Sequence, residues 1–206
     1  MTDNIITIFP TSILESDILR DITKEELDFI NSLELKKNTL GNKNTFNSYV
    51  LNSKELLEIK KWFDSKLNFF TKNILSYPDN LNLYITQSWV NYTKTGEYHN
   101  AHIHSNSLYS GVFYFQTEET DVIKFETSES RVGGPLFNIE RKEYNLYNAN
   151  GWILPVKTGK LLIFPSNLEH SVPITKSKNT RISLSFNTFI RGEIGTEHNF
   201  NFLDLK

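Results

Sequence analysis

The chain has 206 residues, 38% of them hydrophobic, with 22 basic and 24 acidic side chains and a formal net charge of −2. That is enough apolar material for a core, and the near-neutral balance gives no basic field for nucleic-acid phosphate or an anionic membrane surface. Cysteine is absent, which excludes disulfides, thiolate metal sites and cysteine nucleophiles and leaves His, Asp and Glu to hold any metal.

Asn4 to Phe9 is β-branched and apolar and reads as a short strand stopped by Pro10. It follows Asp3 rather than basic residues, unlike a signal peptide, and no apolar run nears the ~20 residues of a bilayer span, so a cytoplasmic protein is expected. Thr23-Lys24-Glu25-Glu26 has the form of a capping box ahead of Leu27, Ile30 and Leu33 at helical spacing. Ser53 opens a longer helix with an apolar stripe of Leu56, Ile59, Phe63, Leu67, Phe70 and Ile74, which needs a broad apolar surface to pack on. Pro78-Asp79-Asn80 ends the helical part. Beyond it, β-branched and aromatic runs cut by Gly, Asn and Pro predict strands near 81–92, 98–104, 108–116, 121–126, 151–156, 159–164, 170–174 and 181–191. Residues 128–150, with Gly133-Gly134-Pro135, read as a long loop or insertion. Helices followed by antiparallel-looking strands predict a mainly β (α+β) jelly roll. It is expected to be one domain, 1–206, in which 1–80 supports a core at 81–191.

The histidines are unevenly placed: His99, His102 and His104 are close together, His170 stands alone, and His198 lies in a polar tail. On a strand His102 and His104 face one side and Ile103 the other. Two imidazoles on an interior face are half of a transition-metal site, which a third ligand from a distant strand completes with positions left open. The bland alternative is two rings hydrogen-bonded in a polar pocket. From Gly159 to His170 the chain offers a turn glycine, an apolar strand, a bend at Pro165 and then a histidine. Arg181 and Ser183 share one face of the alternating strand Arg181 to Phe189, which puts a guanidinium inside the sandwich. A buried guanidinium needs an anion, either a structural partner such as Glu126 or Asp121 or the carboxylate of a small co-substrate.

Taken together, Trp89-Val90-Asn91-Tyr92, His102-x-His104-x-Asn106-Ser107-x-x-Ser110-Gly111-Val112-Phe113-Tyr114, Phe164-Pro165-Ser166-x-x-x-His170-x-Val172 and Arg181-Ile182-Ser183-x-Ser185-Phe186-Asn187 resemble the iron(II)- and 2-oxoglutarate-dependent oxygenases of a phage and bacterial branch. Ile8-Phe9-Pro10 fits as well, and the resemblance spans nearly the whole chain. It implies a double-stranded β-helix with Fe(II) held by His102, His104 and His170. The spacing of Tyr92, Gly96, Tyr98 and His102, with Ser110 and Tyr114 beyond, is similar to the prolyl-hydroxylase type of site. That similarity implies that Tyr92, Ser110 and Tyr114 help to bind 2-oxoglutarate while Arg181 and Ser183 hold its distal carboxylate. The implied activity is hydroxylation of an unidentified small molecule or protein, with O2 and 2-oxoglutarate consumed. Neither nucleic acid nor membrane is an expected partner, and His99 and His198 are expected to be dispensable for metal binding.

His104 departs from the resemblance, because most of the superfamily has Asp or Glu there. Three neutral imidazoles leave the iron one unit more positive. A three-histidine cupin-type metalloenzyme without 2-oxoglutarate is a second reading, supported by Gly159, Pro165 and His170. It requires a glutamate where the chain has Ser107, Leu108 and Tyr109, and it leaves Arg181 unexplained. A non-catalytic β-sandwich used for interaction is a third.

Overall fold

A computed structural model describes residues 4–127, 140 and 142–206. The capping box forms as its sequence dictates. Thr23 Oγ1 accepts from the Glu26 N–H at 3.2 Å, Glu26 Oε2 accepts from the Thr23 N–H at 2.8 Å, and helix α1 runs Lys24–Ser32. Glu26 is buried, and both its oxygens also accept from Arg20, at 2.5 and 2.9 Å. The second helix begins as a 3-10 turn at Lys54–Leu56, continues as α2, Leu57–Phe69, and widens into a π-turn at Phe70–Ile74. Leu56, Ile59, Phe63, Leu67 and Phe70 are all buried, whereas Ile74 is 49% exposed. The wider π-turn rotates Ile74 off the apolar stripe.

The strand expected at Asn4 to Phe9 does not form, and Ile5, Ile6, Ile8 and Phe9 are exposed. Pairing begins later, with β1 at Leu14–Asp17, then β2 Leu35–Lys37 and β3 Lys43–Thr45. Every run expected between 81 and 191 forms a strand: β4 Asn82–Thr93, β5 His99–His102, β6 Tyr109–Gln116, β7 Val122–Glu126, β8 Gly151–Pro155, β9 Lys160–Pro165, β10 Glu169–Val172 and β11 Arg181–Ile194. A short β12, Leu203–Leu205, pairs with the end of β11. Gly133-Gly134-Pro135 lie outside the described residues, and 142–150 form turns leading into β8.

An eight-stranded sheet runs β1-β9-β6-β11-β4-β3-β2 with β12 on β11, and a four-stranded sheet runs β5-β10-β7-β8. Alternation along the strands buries the large sheet on both faces. Its outer face meets the α2 stripe, where Phe63 stacks on Phe186 at 5.1 Å and meets Phe113 edge-on at 5.3 Å. On the inner face Val112, Tyr114, Leu162 and Phe164 pack with Ile123 and Phe125 of the small sheet. This is the jelly-roll, double-stranded β-helix arrangement. It also places the polar phase of β11: because Ile182, Leu184 and Phe186 belong to the outer core, Arg181, Ser183, Ser185 and Asn187 turn inward between the sheets.

Candidate metal centre and co-substrate pocket

Register brings two of the three candidate ligands together. His170 on β10 pairs directly with His102 on β5, and their ring centroids lie 4.3 Å apart. His104 comes after β5, whose ladder ends two residues sooner than the sequence suggests. Its backbone N–H donates to Ser166 O at 2.9 Å, and its ring lies 5.2 Å from His102 and 5.1 Å from His170. The ligand atoms of the three lie within 4.8 Å of one another. Metal–nitrogen bonds of about 2.1 Å need nitrogens roughly 3 to 4 Å apart, so the rings are gathered for one ion.

Each of the three rings is oriented by an oxygen at Nδ1. His102 Nδ1 donates to Asn100 O at 2.8 Å, His170 Nδ1 to Leu168 O at 3.0 Å, and His104 Nδ1 to Asn187 Oδ1 at 2.5 Å. These acceptors place the proton on Nδ1 and leave each Nε2 lone pair free. Burial lowers the pKa of all three, to about 3 for His170 and about 4 for His104, with His102 lowered as well. The imidazoles are therefore uncharged at neutral pH, the form in which they ligate.

The same cavity continues to Arg181, lined on the way by Trp89, Asn91, His99, Ser183 and Ser185. Arg181 is 2% exposed, donates from Nη1 to Ser183 Oγ at 3.3 Å, and lies over the Tyr114 ring with Cζ 5.0 Å from the centroid. Among the described residues its Nε has no hydrogen-bond partner, nor does the Tyr114 hydroxyl. Among the described residues no carboxylate pairs with it: Glu126 pairs with Lys124, and Asp121 accepts from Ser177 and the Glu118 N–H. An unpaired buried guanidinium beside three neutral imidazoles fits a dianion that spans from a metal to Arg181. Free space between these walls is about 30 Å³, enough for one or two waters, so a five-carbon diacid enters only as the side chains part.

Tyr92 does not belong to this pocket. On β4 it has the phase of Val90, faces the helix-covered core, and donates its hydroxyl to Ile30 O. Ser110 faces inward but sits behind His104, 3.1 Å from Asn187 Oδ1 and 2.8 Å from Ser166 Oγ, rather than beside Arg181. Residues without an assigned role in the sequence reading also line the site, among them Trp89, stacked on His104 at 5.5 Å, Asn91, whose buried Oδ1 has no partner among the described residues, Ser185, which accepts from Asn91 at 3.0 Å, and His99. His99 is three residues from His102, an offset that points the other way on a regular strand. The irregular register between β5 and β10 returns it to the same side, stacked on His102 at 4.5 Å. His198 is in the exposed C-terminal segment, away from the site.

Residues 87–187, from inside β4 to Asn187, match the family model described as "Putative 2OG-Fe(II) oxygenase". No curated protein sequence matches the chain. Similar solved structures include an oxidoreductase of the 2OG-Fe(II) oxygenase family from Burkholderia pseudomallei, with 10% identity, TM-score 0.59, and coverage of 85% of this chain and 84% of that one. HygX from Streptomyces hygroscopicus, with nickel, 2-oxoglutarate and hygromycin B bound, has 11% identity, TM-score 0.55, and coverage of 86% and 82%. A viral collagen prolyl hydroxylase from Paramecium Bursaria Chlorella virus-1, in complex with 2-oxoglutarate, has 15% identity, TM-score 0.54, and coverage of 85% and 94%. The fold is thus the one these oxygenases share. Over residues 87–187, just under half of its length, the chain matches the iron(II)- and 2-oxoglutarate-dependent oxygenase family. The cluster of His102, His104 and His170 could hold the Fe(II) that this family uses.

Proposed function

We propose that the protein is a hydroxylase in which His102, His104 and His170 hold Fe(II) and Arg181, with Ser183 and Tyr114, holds the distal carboxylate of 2-oxoglutarate. The observation that carries this reading is the buried Arg181 guanidinium, without a carboxylate partner among the described residues, in one cavity with three imidazoles. Bound there, Fe(II) supplies open coordination positions and reducing electrons for O2. The chain supplies placement. Arg181 fixes one end of the dianion by charge-assisted bonds so that its oxo-acid end reaches the triad. Val112, Ile123, Phe164 and Trp89 line the cavity with apolar surface that excludes water. The balance is R–H, 2-oxoglutarate and O2 giving R–OH, succinate and CO2, where R–H is an unidentified small molecule or protein. A three-histidine enzyme that does not use 2-oxoglutarate leaves Arg181 with nothing to bind.

In this reading residues 1–206 are one domain, with 1–80 supporting the core at 81–191. The protein acts in the cytoplasm, a host's if a phage encodes it. Nucleic acid and membrane are not partners, and no helix among the described residues is long and apolar enough to cross a membrane. Titration of the Mn(II)-loaded protein with 2-oxoglutarate tests the proposal, followed by succinate assay with Fe(II) and O2. Metal-dependent binding with a slow background of succinate is expected. A metal-loaded protein that takes up no 2-oxoglutarate would remove the basis of the reading.

A further inference from the structure

The three imidazoles are not held alike. His102 and His170 each donate to a carbonyl two residues earlier on their own stretch of chain. Their tautomers are therefore set by local backbone, and no side-chain substitution elsewhere removes the acceptor. His104 instead reaches a side chain 83 residues away, Asn187 Oδ1 at 2.5 Å. That oxygen is itself fixed, because Ser110 Oγ donates to it at 3.1 Å and in turn accepts from Ser166 Oγ at 2.8 Å. An amide presents a donor or an acceptor according to how it is turned, and the hydroxyl at Ser110 turns the oxygen toward the imidazole. Trp89, stacked on the ring at an interplanar angle of 28°, limits tilting of the ring, while Asn187 limits rotation within its plane.

We propose that Asn187 is a positioning residue for the metal. It holds His104 as the Nδ1–H tautomer and aims Nε2 at the point shared with His102 and His170, and Ser110 holds the amide in the orientation that permits this. The inference rests on the reading of those three histidines as ligands. An aspartate in the same place would make the imidazole a more basic donor, so the neutral amide leaves His104 without a carboxylate at its Nδ1.

Two readouts test this without recourse to turnover. In the metal-free protein, long-range proton–nitrogen NMR identifies which ring nitrogen of His104 carries the proton. Wild type is expected to show Nδ1–H and Asn187→Leu, near in size but without an acceptor, to show mainly Nε2–H. Co(II) affinity, followed by its visible spectrum, should fall about ten- to a hundredfold in Asn187→Leu, the usual range for loss of an outer-sphere partner. Asn187→Asp keeps the acceptor and should retain wild-type affinity or exceed it. A role in packing alone predicts equal losses for Leu and Asp. Should the leucine variant not fold, Asn187→Val suits a strand and also lacks the acceptor. An Nε2–H tautomer in wild type, or equal Co(II) affinity in wild type and an acceptor-free variant, overturns the inference while the metal site stands. Failure of the wild type to bind Co(II) at all overturns the ligand assignment and the inference with it.

Discussion

His102 and His170 face each other as direct partners across two antiparallel strands, and their rings lie 4.3 Å apart. The candidate metal centre is therefore a property of strand register. A slip of one residue between β5 and β10 would turn one ring out of the cavity. Substituting His102, His104 or His170 singly by Ala should cost at least about a hundredfold in Co(II) or Mn(II) affinity, more than loss of an outer partner costs. His198→Ala should cost nothing. Calorimetric titration of the four variants checks this, and undiminished binding in any triad variant would exclude that residue from the ligand set.

Arg181→Ala removes a charge-assisted contact worth roughly 1.5–3 kcal/mol, so 2-oxoglutarate affinity should drop by about tenfold or more. Arg181→Lys should recover only part of it, because an ammonium cannot offer two parallel donors. Metal affinity without co-substrate should be unchanged in both. Identical 2-oxoglutarate isotherms in wild type and variants would make the guanidinium structural.

Acid should destabilise the metal-free protein earlier than its carboxylates alone would predict. His99 and His170 are held at about 3 and His104 at about 4 by burial, and His102 is lowered too, from an ordinary 6.5. Below 6.5 the unfolded chain binds protons that the fold does not, so stability is present above that pH and is lost as pH falls toward 4. The slope is at most about 1.4 kcal/mol per pH unit for each histidine. Urea unfolding at pH 7.5, 6 and 5 measures it, and the His99→Phe variant should show a shallower slope. A flat profile across this range would contradict the uncharged cluster.

Gly111 on β6 is the direct cross-strand partner of Phe186 on β11. A methyl group there would lie 2.1 Å from Cζ of Phe186, whose ring stacks on Phe63. Gly111→Ala should therefore force the Phe186 ring off α2 and cost about 1–3 kcal/mol. Denaturant midpoints of the two proteins test it.

Much of this was legible in the residues. The capping box, the buried face of α2 and the strands of the core follow from hydrogen-bonding groups and apolar period, which are local signals. Arg181 and Ser183 were placed inside by the same period, since Ile182, Leu184 and Phe186 occupy the other phase. Applied to β4, that rule separates Asn91, which lines the cavity, from Tyr92, which faces the core; motif spacing alone does not carry face. His99 could not be placed by period, because the irregular pairing that returns it to the His102 side is made with a strand far away in sequence. Asn187 had the inward phase of Arg181, but its partner His104 is a long-range contact that no local pattern announces. The strand expected before Pro10 failed for a related reason: its residues have β propensity, yet no ladder receives them.

The indole of Trp89 is stacked on His104. Trp62 lies on the far side of the large sheet, against Phe63 and Phe113, and Trp152 is 42% exposed on β8. A paramagnetic ion captured by the triad would therefore quench Trp89 more than Trp62. The site carries its own optical probe, stacked on a candidate ligand, and exchanging Trp89 for Phe would silence that probe while leaving the rest of the emission in place.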